Sequence, residues 1–161
     1  MVRIDELNHE RQSPMTIRTD GYYYTKYVRA PFRDATGKDV PETTFLAPLF
    51  LYRDNSSFEP GNFRSHDAIH KYVTDDKLRE NISSSYGWGY FSIEGDAITI
   101  QTTEVTGNNM FAATIGVRNA KGRLLNDSSF IIGSRTYKFI ANAPKPDSSN
   151  WVKDRFAKRK K

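Results

Sequence analysis

The sequence predicts a mainly β protein: an eight-stranded, antiparallel, up-and-down barrel with one helix between its third and fourth strands. Three observations predict it. Residues 21–141 hold eight stretches rich in aromatic and β-branched residues, spaced about 15 residues apart with their turns. All but one of the connections between them lack a helix, and parallel pairing would need long crossovers. Only one stretch before the C-terminus repeats its apolar residues at helical spacing. Eight meandering strands with one apolar face hide that face by curling into a closed barrel. A sandwich of two four-stranded sheets is the alternative, but its crossovers call for longer links than most of those present.

Gly21–Val28 (GYYYTKYV) opens the strand pattern, with residues that suit a pleated surface. Pro31–Thr43 follows as a loop of 13 residues, longer than most connections in a compact domain, and is assigned as a gate over the barrel mouth. Phe45–Tyr52 is the second strand; Pro48 donates no ladder hydrogen bond, which predicts a bulge or an edge there. Asp54-Asn55 starts a turn, and Ser57–Arg64 returns as a short strand. Ser65–Ile82 is the helical stretch, as one helix or two, with Ile69, Tyr72, Val73 and Leu78 at spacings near 3 and 4 and with Ser65 and Thr74 as N-cap candidates. Trp88–Ile93 and Ala97–Thr103 flank a turn at Glu94-Gly95-Asp96. Phe111–Val117 comes next. Asn119-Ala120-Lys121-Gly122 reads as a hairpin turn, with Gly122 suited to positive φ. Arg123–Ile132, the turn at Gly133-Ser134 and Thr136–Ala141 complete the set.

These residues resemble the lipocalin-like proteins of bacterial cell envelopes, small calycin-type barrels that often occur as lipoproteins. The resemblance covers roughly residues 19–152. It rests on DGYYY at Asp20–Tyr24, FLYRDNSSF at Phe50–Phe58, the helix ahead of GYFSIEGDAITI at Gly89–Ile100, then KGRLLNDSSF, TYKF and KPDSSNW at Lys145–Trp151. It implies a barrel that holds a small apolar ligand, a cell-envelope location, and no catalytic residues. Residues 1–19 then form a polar extension, 20–152 the barrel domain and 153–161 a basic tail. Residues 1–20 contain no apolar stretch of the signal-peptide kind, which leaves a cytosolic protein or a trimmed form.

The net charge of +5 is carried by the tail: residues 153–161 (KDRFAKRKK) hold six basic side chains and one acidic, and the other 152 residues balance at 18 of each. A basic field that follows a polyphosphate backbone is therefore not expected, and no nucleic-acid partner is predicted. The tail offers peripheral contact with anionic lipid, at ~1 kcal/mol per cation near the surface. No apolar run approaches the ~18 residues of a membrane-spanning helix. Without cysteine there are no disulfides, thiolate metal sites or cysteine nucleophiles. Nothing in the composition sets an oligomeric state.

Catalytic signatures are missing: there is no Gly-x-Ser-x-Gly, no Ser-x-x-Lys and no glycine-rich phosphate loop. His66-Asp67-Ala68-Ile69-His70 places two histidines on one helix face but has Asp where a zincin has Glu, so it reads as surface histidines; neither a metal nor a cofactor is expected. The three Asn-x-Ser sequons, at Asn55, Asn81 and Asn126, read as chance occurrences in a Ser- and Asn-rich chain. A short helix capped by Asn150 is expected to set Trp151 against one barrel end.

The aromatic set is the informative one. Tyr22, Tyr24, Tyr52, Trp88, Tyr90, Phe111, Ile115, Tyr137 and Phe139 lie on proposed strands and are the candidate ligand-binding residues. If they point inward they either line a wider end or fill the barrel with side chains. Trp88 and Tyr90 oppose Phe91 and Ile93 in strict alternation, so either a bulge at Gly89 resolves the phase or one pair covers the outside under the helix. The expected function is non-catalytic binding of a small hydrophobic or amphipathic molecule. A packed-barrel interaction protein and a calycin-type enzyme are the alternatives.

Overall fold

A computed structural model describes residues 16–75, 82, 86–109 and 112–148. The elements in chain order are β1 (Gly21–Arg29), β2 (Phe32–Arg33), β3 (Asp39–Val40), β4 (Thr43–Leu51), β5 (Ser56–Phe58), α1 (His66–Thr74), β6 (Trp88–Glu94), β7 (Ala97–Asn109), β8 (Ala112–Asn126), β9 (Ser129–Ile132) and β10 (Arg135–Ala141). Eight of the strands close into an antiparallel barrel in the order β1-β10-β9-β8-β7-β6-β5-β4. Closure runs through Gly21↔Ala141, Tyr22↔Ile140, Tyr23↔Phe139 and Tyr24↔Lys138. The sheet thus has no long free edge of the kind that templates aggregation along the closing ladder.

Three details differ from the sequence reading. Counted over all strands the helix follows β5 rather than a third strand, because the 31–43 loop carries a two-stranded hairpin of its own, β2 with β3; counted over the barrel strands alone it lies between the third, β5, and the fourth, β6. Asp34 organises that hairpin, its carboxylate accepting from the Thr36 and Lys38 amides and the Thr36 hydroxyl. The third barrel strand is short, ending at Phe58 instead of Arg64. And no turn forms at Asn119–Gly122, where β8 runs straight through. Gly122 has no positive φ; it is small because the Ile131 carbonyl of β9 lies 2.1 Å from where a Cβ would sit. The real turn is Asn126–Ser129, where the Asn126 side-chain oxygen accepts from the Ser128 amide at 2.9 Å and the Ser129 hydroxyl at 3.1 Å, an Asx turn.

Pro48 pairs with Tyr24 without a register shift, so no bulge forms on that side. Its nitrogen faces the other way, as does the amide of Leu46, which bonds to Phe63. There β4 meets β5 only at Phe50 and Leu51, and Pro48 falls in the break between those pairs and the Phe63 bridge. The missing donor therefore costs no ladder bond.

Two apolar cores share one wall. Inside the barrel, Tyr23, Leu49, Leu51, Phe91, Ile98, Ile100, Leu124, Phe130 and Tyr137 pack together with Ile17 from the N-terminal segment. Outside it, Tyr22, Leu46, Phe50, Tyr52, Phe58 and Trp88 meet Ile69 and Val73 of α1, and Ile82. Ser65 caps α1 through the Ala68 amide at 3.1 Å. Thr74 is the last residue of α1 and its hydroxyl donates to the His70 carbonyl; Leu78 and the 76–81 stretch, on which a second helix is expected, lie outside the described residues.

The barrel end near Gly21 and Ala141 is sealed. Ile17 inserts there, the Tyr23 hydroxyl donates to the Asp127 carbonyl at 2.6 Å, and the Arg18 guanidinium lies 4.6 Å above Phe139. Lys145 spans the same end, donating to the carbonyls of Thr19 at 2.6 Å and Leu51 at 3.0 Å, while Tyr52 donates to Pro146 at 3.0 Å. Burial lowers the Lys145 pKa, opposed by Asp20 and Asp54. Lys145→Ala is expected to destabilise by about 1–3 kcal/mol, since it strips a donor from two carbonyls, that of buried Leu51 and that of half-buried Thr19. Urea unfolding of the two proteins checks this.

Candidate functional site

Space is left at the opposite end, where β1 finishes and β10 begins. A cavity of about 260 Å³ opens there. Its floor is Leu49, Ile100, Ile132 and Tyr137, and its rim is Glu59, Arg118 and Arg135. A wider groove of about 520 Å³ adjoins it, lined among others by Tyr27, Ala47, Tyr86, Thr102 and Glu104 and sharing the same three charged residues. Glu59 is delivered by the chain leaving β5, Arg118 by the middle of β8, and Arg135 and Tyr137 by the start of β10.

Pairing of Thr102 with Arg118 puts both on the mouth side of the sheet. The Arg118 guanidinium makes a close ion pair with Glu59, reaches the Thr102 hydroxyl at 3.4 Å and stands 3.9 Å from the Glu104 carboxylate. Arg135 lies 5.5 Å over the Tyr27 ring. Two cations thus face two carboxylates, of which Glu59 is the more buried, at 19% side-chain exposure. Burial pushes the Glu59 carboxyl above its ordinary range, and Arg118 opposes that push. Burial likewise raises the Tyr137 phenol, with Glu59 adding to the effect.

A raised carboxyl pKa means that the folded protein holds the Glu59 proton over a window starting near 4.5, where the unfolded chain has lost it. Glu59 therefore withdraws stability as pH rises through its folded pKa. Arg118→Ala removes the compensating charge and widens that window upward. The variant is expected to lie closest to the parent at the acid end, below the ordinary carboxyl value of 4.5, and to fall about 1–3 kcal/mol below it by pH ~8. Thermal melts of both across this range provide the check; a pH-independent loss would rule out the assigned pairing.

The nine residues expected to bind ligand divide sharply. Tyr137 lines the cavity. Phe139 is inside the barrel but at the sealed end, against Tyr23 and under Arg18. Tyr22, Tyr24, Tyr52, Trp88 and Tyr90 do not face the interior: they belong to the outer core beneath α1. Of the two resolutions of the phase conflict at Gly89, the second therefore holds; β6 pairs with β7 in unbroken register, and Trp88 and Tyr90 lie outside. Ile115 pairs with Val105 where β7 and β8 run past the ends of β6 and β9, and is half-buried there. Phe111 lies outside the described residues, as do the basic tail, Trp151 and His9. No residue of the 31–43 segment lines either cavity, so the hairpin is not placed as their gate.

Glu59, Arg118 and Arg135 went unread in the sequence. Glu59 stands before Pro60-Gly61, a chain break that takes it off the ladder, and this was its one visible signal. Arg118 was hidden by the turn assigned just after it.

On the outer wall, the Tyr22 hydroxyl meets two imidazoles of α1: Nδ1 of His66 at 2.8 Å and Nε2 of His70 at 3.4 Å. Tyr24 sets its ring edge-on to His66 with centroids 4.7 Å apart. Burial pushes the Tyr22 phenol up to about 12, with a smaller contribution from Tyr24. It lowers the pKa of His66, and His70 and Lys26 add to that effect. Among the described residues, no three His, Cys, Asp or Glu side chains gather in a metal-binding group.

Comparison of the chain with protein-family models, with curated proteins and with solved structures finds no match, so the reading of this site rests on its geometry.

Proposed function

We propose that the protein binds a small amphipathic molecule, without chemistry, at the open end of the barrel. The observation that carries this reading is the division of the interior. Side chains fill the sealed end, while the open end keeps about 260 Å³ with an apolar floor and a charged rim. That combination suits a ligand with one apolar part and one polar group: small-molecule sites are concave, mostly apolar and oriented by a few polar groups. The volume lies just under the ~300–1,000 Å³ of typical sites, so the ligand is small or leaves part of itself in the adjoining groove. Burial of apolar area, at ~25 cal/mol per Å², drives binding, and Arg118 or Arg135 orients the polar end. The lipocalin-like family and its envelope location belong to the same proposal, supported by the eight-stranded closed barrel.

The test is ligand-shifted melting with short-chain and aromatic molecules bearing neutral, anionic and zwitterionic head groups. A binder at a hundred times its Kd is expected to stabilise by about 2.7 kcal/mol, or roughly 5–10 °C. Ala120→Phe, which fills the cavity from its β8 wall, is expected to abolish the shift. Absence of any shift across the panel, or a shift that survives Ala120→Phe, rejects the reading.

The filled sealed end favours a second reading, an interaction protein with a largely solid barrel whose outer surface or basic tail meets partners. Deleting Lys153–Lys161 separates the two, because salt-sensitive association disappears with the tail whereas binding at the mouth does not.

A further inference from the structure

We propose that Tyr22, His66 and His70 form a binding site for a divalent late transition metal, copper(II) foremost, on the outer wall of the barrel. Two imidazole nitrogens from successive turns of one helix converge on a single phenol oxygen, at 2.8 and 3.4 Å. Donors about 2.0–2.1 Å from an ion sit about 2.9 Å apart at adjacent positions of the tetragonal site copper(II) prefers, and about 3.3 Å apart in a tetrahedral one, so small side-chain rotations bring the three around one ion. Imidazole is the nitrogen ligand such ions favour, and copper(II) binds nitrogen and oxygen donors most tightly in the divalent series.

The positions are fixed by the fold. Tyr22 is fully buried at the foot of the site and pinned by the closing ladder to β10. The histidines follow the Ser65 cap directly, and Ile69 and Val73 between and after them anchor the helix to the wall. Both rings are only half-buried, so a metal enters from solvent and keeps a water on its outer side. Lys26 and Asp67 bring opposite charges near His66 and offset one another. When the metal binds, the Tyr22 hydroxyl gives up its hydrogen as a proton and the oxygen becomes a phenolate ligand.

Copper(II) alone is titrated into the full chain at neutral pH, by calorimetry in two buffers of different protonation enthalpy and by visible absorption. The expected result is one ion per chain, one proton released and a phenolate-to-copper charge-transfer band. His66→Gln and His70→Gln are each expected to weaken binding at least about tenfold. Tyr22→Phe keeps the buried ring, and therefore the fold, but removes the band and weakens binding; near-UV circular dichroism confirms that each variant is folded. His9→Gln is expected to change nothing. Failure to bind at micromolar copper, affinity indifferent to the two helix histidines, loss with His9→Gln, or a band that persists in Tyr22→Phe would each overturn the site.

Discussion

Replacing Trp88 with alanine is expected to cost about 3–5 kcal/mol, a large share of the ~5–15 kcal/mol that holds such a domain together. Trp88 is fully buried, but not in the barrel. Its indole stacks on Phe58 with centroids 4.2 Å apart, leans on Tyr52 at 5.7 Å, and donates through Nε1 to the Ile82 carbonyl at 2.7 Å. The tryptophan therefore joins the wall of the barrel to the chain that follows α1. Alanine opens a cavity the size of an indole and leaves a buried carbonyl without its donor. The melting temperature is expected to fall by about 6–20 °C. Trp88→Phe retains the stack and loses the donor, which limits its cost to about 1–2 kcal/mol. Guanidinium unfolding of the three proteins measures both numbers. A loss under ~1 kcal/mol for Trp88→Ala would mean that the outer core contributes little and that the barrel stands without its helix.

That placement explains where the sequence was readable and where it was not. In β7 and β10 one face of the strand meets water for part of its length, so Ile98 and Ile100, or Tyr137 and Phe139, alternate with polar neighbours and the phase is plain. Over the buried stretches of β1, β4 and β6 both faces are covered, one by the barrel interior and one by the outer core beneath α1. TFLAPLFL and GYYYT are then apolar throughout, and alternation carries no phase. The aromatic residues most suggestive of a ligand are for that reason mostly the ones facing the helix. Closure itself was legible, because it follows from strand count and short connections. The charged mouth was not, since Glu59, Arg118 and Arg135 come from three separate stretches and meet only after the barrel closes. Turn chemistry misled at Asn119–Gly122 because a glycine can serve close strand approach as well as positive φ.

Gly89→Ala is expected to be the most damaging change of a single methyl group in the chain, at about 4 kcal/mol or more. Gly89 pairs with Thr102 in the β6–β7 ladder and with Ser57 in the β5–β6 ladder, so it is held from both sides. A Cβ there would stand 1.6 Å from the Gln101 carbonyl oxygen and 2.6 Å from its carbon. Both atoms are backbone, so no side chain can turn aside. The methyl group has to part β6 from β7 or break the ladder that carries Trp88 on one side and Phe91 on the other. Gly95 supplies the contrast. It holds φ +62° in the β6–β7 turn with open space around its Cβ position, so Gly95→Ala meets backbone strain alone and is expected to cost only about 1 kcal/mol. Equilibrium unfolding of the pair separates two causes that composition cannot distinguish. Equal losses would show that conformation, rather than the narrow gap between β6 and β7, fixes glycine at position 89.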